Sequence, residues 1–235
     1  MRRWWLVCIV LLVLGIAWWS AVWIQSAEVT LSTLPTLVTR QLQAHRDPLV
    51  PLSAISPWLP EASVAIEDRS FWRNWGVSLE GIARAALVDV ASEAFVQGGS
   101  TITQQLIRDQ LLTFRKSLRR KAREVAYALL LTRRMSKKEI LTLYLNEVNY
   151  GNGNFGVYAA SEGYFGTPPA DLNLAQSALL AGLPQDPAGL DPYRHPRAAL
   201  GRRALVLDAM RSVGDISRKQ ALLAGRAPLN LLPSP

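Results

Sequence analysis

The sequence predicts a mainly α-helical domain preceded by a single N-terminal transmembrane helix, and three observations lead there. Positions Trp4 to Ile24 carry no charge; beyond residue 60 apolar residues recur at helical spacing almost everywhere; and no convincing period-2 strand pattern appears. At 235 residues the chain has room for one sizeable domain, and 49% hydrophobic with 19% charged residues excludes a disordered chain. The single cysteine, Cys8, excludes an internal disulfide and a cysteine zinc site, and His45 and His195 are too few for a histidine-rich centre. Any metal here must lean on carboxylates.

Taken in order, residues 1–3 form a short N-terminus with Arg2 and Arg3, which the positive-inside bias keeps in the cytoplasm. Residues 4–24 form the span, since about 20 apolar residues at 1.5 Å rise cross a hydrocarbon core of roughly 30 Å. Five of its residues are tryptophans, clustered near both ends where amphipathic rings favour the headgroup level. A cleaved signal peptide is the competing reading, but its apolar stretch is normally about 7 to 15 residues. Residues 25–49 are a connector with a helix over about Leu31 to Arg46, and the prolines at 48, 51, 57 and 60 predict an extended or turning segment. Residues 50–225 form the domain. Its periodicity predicts helices over 78–95, 101–112, 115–134, 136–147, 155–165, 172–183 and 196–213. Ser136 with Glu139 is a good capping box, whereas Ser78 is followed by Gly81. Glycine and proline clusters at 98–99, 151–156, 166–169 and 184–192 mark the breaks, and residues 226–235 read as a loose tail.

Charge is concentrated. Between Arg108 and Lys138 stand eleven Lys or Arg against Asp109 and Glu124, a local +9 in a chain whose total is +8. Such a stretch calls for an anionic partner: phosphate, nucleic acid or an acidic membrane surface.

Three segments carry candidate chemistry. In AIEDRSFWRNWG, residues 65–76, Glu67 and Asp68 precede Phe71, Trp72 and Trp75; a carboxylate desolvated by those rings is a usable general base near neutral pH, and acids at a helix end are the plain alternative. In QGGSTITQQL, residues 97–106, glycines permit close backbone approach, and Ser100 opens a helix whose free N–H groups suit an anion. Ser100, Thr101, Thr103, Gln104 and Gln105 add neutral groups for sugar hydroxyls or phosphate oxygens, although an ordinary loop and cap look alike. It is not a P-loop, because the Gly-Lys-Ser/Thr ending is missing. In residues 114–134, Arg120 and Lys121 share a helical face with Glu124. An isolated pair of that kind is a solvated salt bridge, but the surplus of cations around this one leaves charge to receive a diphosphate.

Together and in this order the segments resemble the peptidoglycan glycosyltransferases of glycosyltransferase family 51, in particular its monofunctional biosynthetic transglycosylases. The matching patterns are Glu-Asp-x-x-Phe at 67–71, Gly-Gly-Ser-Thr-Ile-Thr-Gln-Gln at 98–105, Arg-Lys-x-x-Glu at 120–124 and Lys-x-x-Ile-Leu-x-x-Tyr-Leu-Asn over Lys137 to Asn146, followed by a closing region at 164–187. The resemblance spans about Val50 to Met210. It implies a lysozyme-like, two-lobed helical fold with a membrane-touching subdomain, and polymerisation of undecaprenyl-pyrophosphate-linked disaccharide-pentapeptide, lipid II, into β-1,4 glycan with inversion. Glu67 would be the base for the acceptor 4-hydroxyl and Glu124 the second acid, organising the cations and the donor pyrophosphate. Asp68, Phe71, Arg84, Ser100, Thr101, Thr103, Gln104, Gln105, Arg108, Lys116, Arg120 and Lys121 would bind substrate. No organic cofactor is implied; magnesium or manganese would assist near Glu67 and the pyrophosphate.

The implied partners are lipid II, the growing glycan strand, membrane lipid and cell-wall synthesis proteins, with no nucleic acid. The implied place is the bacterial inner membrane, single-pass, with the domain periplasmic. Asn74, Thr167 and Gln176 stand where the family usually has histidine, lysine and glutamate, and Arg108 and Lys116 exchange the family's lysine and arginine. With no Ser-x-x-Lys, penicillin binding is not expected. A glycan-cleaving lytic transglycosylase and a membrane-tethered, non-catalytic cell-wall binding module are the alternatives.

Overall fold

A computed structural model describes residues 2–81, 99–112 and 117–233. Arg84, Gly98 and Lys116, and most of the helix expected over 78–95, lie outside the described residues. Within them the fold is helical throughout, the only bridge being an isolated antiparallel pair, Asn149 with Phe155.

Helix α1, Arg2–Ser32, is the one described helix long and apolar enough to cross a membrane. Leu11 to Leu14, Ile16, Trp18 and Trp19 are exposed along it. The helix does not stop with its apolar run. Its last two turns bury Ala27 and Leu31 against the domain, where Trp23 meets Tyr127 with ring centres 5.9 Å apart and Glu28 pairs with Arg134 at 2.6 Å. Helix α2, Leu34–His45, ends on Arg46 at φ +62 and buries Leu34, Val38 and Leu42.

The proline segment is extended only in part. After a 3-10 turn at Leu52–Ala54, helix α3 runs Trp58–Glu67. Pro60 sits in its first turn, where backbone N–H groups have no intrahelical acceptor and proline is tolerated. Leu59, Ala62 and Ala65 are buried where α3 packs against α8, Leu174–Gly182, and α9, Pro196–Val213. These three helices form one side of the domain. The other side joins α4, Ile102–Leu111, to α5, Leu118–Arg134, and α6, Lys137–Glu147, with α7, Gly156–Phe165, and α2 packed on α6.

Capping explains most boundaries. Thr101 with Gln104, Ser136 with Glu139 and Asn173 with Gln176 each form a full capping box. The glutamine at 176 therefore satisfies the same backbone N–H that a glutamate would. Two corrections fall at the C-terminus. A further helix, α10, Arg218–Arg226, follows Ser217 and packs on α9; its sequence hides it because Ala224 is its one buried residue. The last residues are not loose: the Leu232 N–H donates to the Tyr164 carbonyl at 2.8 Å, and Leu229 and Leu231 pack on the core. Buried Arg203 donates to the carbonyls of Gly225 and Ala227, holding the end of α10.

Asn146, fully buried near the end of α6, clamps the start of the domain. Its Oδ1 accepts from the Val50 N–H and its Nδ2 donates to the Val50 carbonyl, both at 2.8 Å. The neighbouring turn reaches Gly156 at φ +82, where a Cβ would lie 2.4 Å from the Asn146 carbonyl oxygen. Asn146→Leu strands both Val50 groups in the core, and at roughly 1–3 kcal/mol for each buried unpaired group the loss should be about 3 kcal/mol. Urea unfolding of the full chain checks this; an unchanged midpoint would show that the clamp is dispensable.

Candidate functional site

Glu67 is the last residue of α3, and Asp68 caps it at φ −153. From there the chain loops through residue 78 and is seated on α5 by Gly76, whose φ is +91 and whose Cβ, if present, would lie 2.3 Å from the Ala128 carbonyl oxygen. No side chain fits there. Thr101, at the start of α4, fastens the same loop by donating its hydroxyl to the Gly76 carbonyl at 2.6 Å. A wall shared by Glu67, Ser70, Ser78, Gly99 and Ser100 results.

Three elements converge on Glu67. Gln105 of α4 donates its amide to Oε2 at 2.7 Å, and Arg202 of α9 reaches Oε1 at 3.3 Å, with both partners of that ion pair largely buried. Tyr144 of α6 supports Gln105 from below, its hydroxyl 3.5 Å from the amide oxygen. The aromatic environment expected from the sequence is not what the fold builds. Trp72 and Trp75 are 51% and 80% exposed, and Phe71 alone is buried. An amide and a guanidinium, not tryptophan rings, hold the Glu67 carboxylate.

Glu124 is 1% exposed, yet fully paired. Lys121 donates to its Oε1, and Arg120 approaches Oε2 at 3.5 Å. The same Lys121 ammonium donates to the Ser100 hydroxyl at 2.9 Å, so a continuous polar path joins α5 to the loop that opens α4. The buried Nε of Arg120 has no partner among the described residues.

The remaining expected residues divide by burial. Thr101, Thr103 and Gln104 are at most 1% exposed, and the first and last are spent on their own capping box; Phe71 is wholly buried. Thr101 and Gln104 hold the loop, while the buried Thr103 hydroxyl has no partner among the described residues. Arg108 turns to Asp109, at 2.7 and 3.0 Å, instead of toward Glu124. Asp68 is buried, its oxygens accepting from Asn74 at 2.9 and 3.0 Å and from Ser70 at 3.1 Å. Burial raises its carboxyl above the usual aspartate range, against those hydrogen bonds and Lys137. Asn74 thus takes up the histidine position as a two-sided bridge, since its Oδ1 also accepts from Lys137 at 2.9 Å. Lys137, over the Phe71 ring at 4.7 Å, is pushed down to about 8 by desolvation.

Arg202 was not legible as a site residue. It lies 135 positions from Glu67, and nothing around GRRALVL sets it apart from Arg203. Glu147 was also missed: buried beneath the site, it accepts from Gln110 at 3.0 Å, which also donates to Gln41, while its Oε1 has no partner. Burial, reinforced by Asp109, pushes its carboxyl up to about 8.

The sequence has relatives among known proteins. The sequence pattern of the family described as Transglycosylase matches residues 35–211. Penicillin-binding protein 1A of Aquifex aeolicus is 43% identical over 182 residues, covering 77% of this chain and 25% of that protein. Penicillin-binding protein 2D of Bacillus subtilis is 41% identical over 184 residues, covering 78% and 27%. This chain thus spans about a quarter of the length of those relatives. A solved structure of penicillin-binding protein 1A from Haemophilus influenzae aligns with a TM-score of 0.49 at 22% identity, over 79% of this chain and 18% of that one.

The buried Glu147 makes stability depend on pH with a definite sign. Its folded value near 8 lies above the ordinary 4.5, so its contribution is fully present below about pH 4.5 and is lost as pH rises through 8. Lys137, depressed toward 8, changes charge only above that window. Between pH 5 and 7.5 the wild type should therefore lose stability relative to Glu147→Gln, as urea midpoints at the two pH values will show; parallel midpoints would refute the assignment.

Proposed function

The chain belongs to the transglycosylase family, and on that premise we propose that it polymerises lipid II into glycan strands, releasing undecaprenyl pyrophosphate. The observation that carries the reading is the polar path from Glu124 through Lys121 to Ser100, ending at the wall that Ser100 shares with Glu67. A paired cationic end and a carboxylate end on one cleft suit a sugar donor that leaves as diphosphate.

Glu67 takes the proton from the acceptor 4-hydroxyl as that oxygen attacks C1 of the growing chain's sugar. The new C1–O bond forms opposite the breaking bond from C1 to the phosphate oxygen, which gives inversion. The electron pair leaves with the diphosphate and the proton remains on Glu67. Pyrophosphate is already a good leaving group, so the site needs charge stabilisation more than an acid. Lys121 and Arg120 supply it. Gln105 and Arg202 orient Glu67 until the acceptor hydroxyl replaces one of them.

The described residues do not by themselves fit a resident divalent ion. No three of their His, Cys, Asp or Glu side chains cluster, and both glutamates already bear cationic or amide donors. Magnesium or manganese would be held chiefly by substrate phosphates, and no step above runs through it. We place the protein as a single-pass protein of the bacterial inner membrane, with α1 as the span and the domain on the periplasmic side. Support comes from the apolar run and from Arg2 and Arg3 before it. Membrane lipid and cell-wall synthesis proteins complete the proposed partners.

Fluorescent lipid II incubated with the full chain in detergent should give high-molecular-weight glycan. Glu67→Gln should lower the rate at least about 100-fold, the usual scale for a general base. Lys121→Ala should lower it about 10- to 100-fold by weakening diphosphate stabilisation. Absence of polymer from folded wild-type protein, with magnesium or manganese present and with metal chelated, would overturn the reading. Cleavage of preformed glycan would replace it with a lytic one.

A further inference from the structure

Helices α9 and α10 leave a hollow of about 490 Å³ between them. The turn at 214–217 folds α10 back along α9: a Cβ on Gly225 would lie 3.8 Å from the Leu207 side chain, and Arg203 reaches the carbonyls of Gly225 and Ala227. Each helix gives the hollow one stripe. On α9 it is Ala204, Leu207, Asp208 and Arg211; on α10 it is Arg218, Ala221, Leu222 and Gly225. Both stripes run i, i+3, i+4, i+7, the spacing by which one helix meets another, and Ala204, Ala221 and Gly225 are small enough for close approach. Leu207 is buried on the floor, whereas Leu222 is 51% exposed. Two such seams on one hollow form a helical bundle that lacks its third member.

The charge around it has one sign. Arg211 and Arg218 stand at the end nearest the turn, and Arg226 stands at the other. Asp208, the one acid among the described residues that line the hollow, is taken by Arg211 at 2.6 Å. Among the described residues no acid lies within ion-pair distance of Arg218 or Arg226. An occupant therefore needs carboxylates beside both ends of its apolar seam. A second copy docked by the same face would set arginine against arginine.

We infer that this hollow receives an acidic amphipathic helix of a partner protein, its apolar seam on Leu207 and Leu222 and its carboxylates toward Arg218 and Arg226. The surface is separate from the cleft. Arg202 is the α9 residue that faces Glu67, and at 3.6 residues per turn every α9 residue of the hollow lies at least about 120° around the helix from it. It is also clear of α1, which packs on α5 and α2 on the other side of the domain. The inference depends neither on the polymerase reading nor on α1 being a span, and its test needs no turnover.

A fluorescein-labelled peptide of about 18 residues, long enough to hold a helix, carries leucines at i, i+3, i+4 and i+7 and glutamates on either side of them. It is titrated with the full chain in nonionic detergent, beside a twin with lysine for glutamate, and anisotropy is read against empty micelles. The wild type should bind the glutamate peptide about tenfold more tightly than its twin. Arg218→Glu with Arg226→Glu should reverse that order. Arg133→Glu with Lys138→Glu, an equal change of net charge on α5 and α6, should keep it. Leu222→Asp should weaken the glutamate peptide about tenfold. No binding of either peptide, no preference between them, or a preference lost equally in both double variants would overturn the inference. So would a wild-type dimer in sedimentation that Leu222→Asp dissolves, which would give the hollow to a second copy. Arg218, Leu222 and Arg226 are exposed, so their variants should melt as the wild type does.

Discussion

A carboxylate closed off from water inside a helical domain is costly unless every oxygen is paired, and Glu124 is the point where this chain meets that cost. Its two cations come from the preceding turn of the same helix, so the pairing is intrinsic to α5 and precedes any ligand. Because Lys121 also grips Ser100, pairing Glu124 places the loop that opens α4. That loop holds Thr101, Thr101 holds Gly76, and Gly76 brings the segment after Glu67 onto α5. One buried charge thus organises the approach of the two halves of the cleft. Removing it would leave two cations and a loop without a common partner.

The glycines and caps do the complementary work of exclusion. At Gly76 a methyl group would collide with the backbone of α5, so the close approach depends on the absence of a side chain. Thr101 and Gln104 look like ligand groups in the sequence because hydroxyls and amides suit sugars. In the fold they answer an older demand, the unsatisfied N–H groups of the first turn of α4. Ser100, one residue earlier, escapes that demand and stays partly exposed, which is why it meets Lys121.

Local signals were legible and distant ones were not. The helices from α4 to α9 start and stop close to where periodicity, capping residues and glycines put them, because those signals act within a few residues of the boundary. Helix α3 was hidden by the prolines that open it, and α10 by its exposed, short sequence. In the candidate site, the pairing of Glu124 with Arg120 and Lys121 could be read from spacing, since it is carried on a single segment. Arg202 and Gln105 reach Glu67 only through the packing of α9 and α4 against α3, which no local pattern encodes. The expected desolvation by Trp72 and Trp75 failed for the same reason: adjacency in sequence says nothing of which way a loop turns its rings.

Helix α1 continues unbroken from its apolar run into its contacts with α5, with no flexible joint between. A span longer or shorter than the hydrocarbon around it adjusts by tilting. For a stalk with a loose hinge such tilt would be absorbed before it reached the globular part. With α1 as the proposed span, the coupling through Trp23 and Glu28 would make the stalk a lever, and the angle of the cleft over the surface would become a function of bilayer thickness.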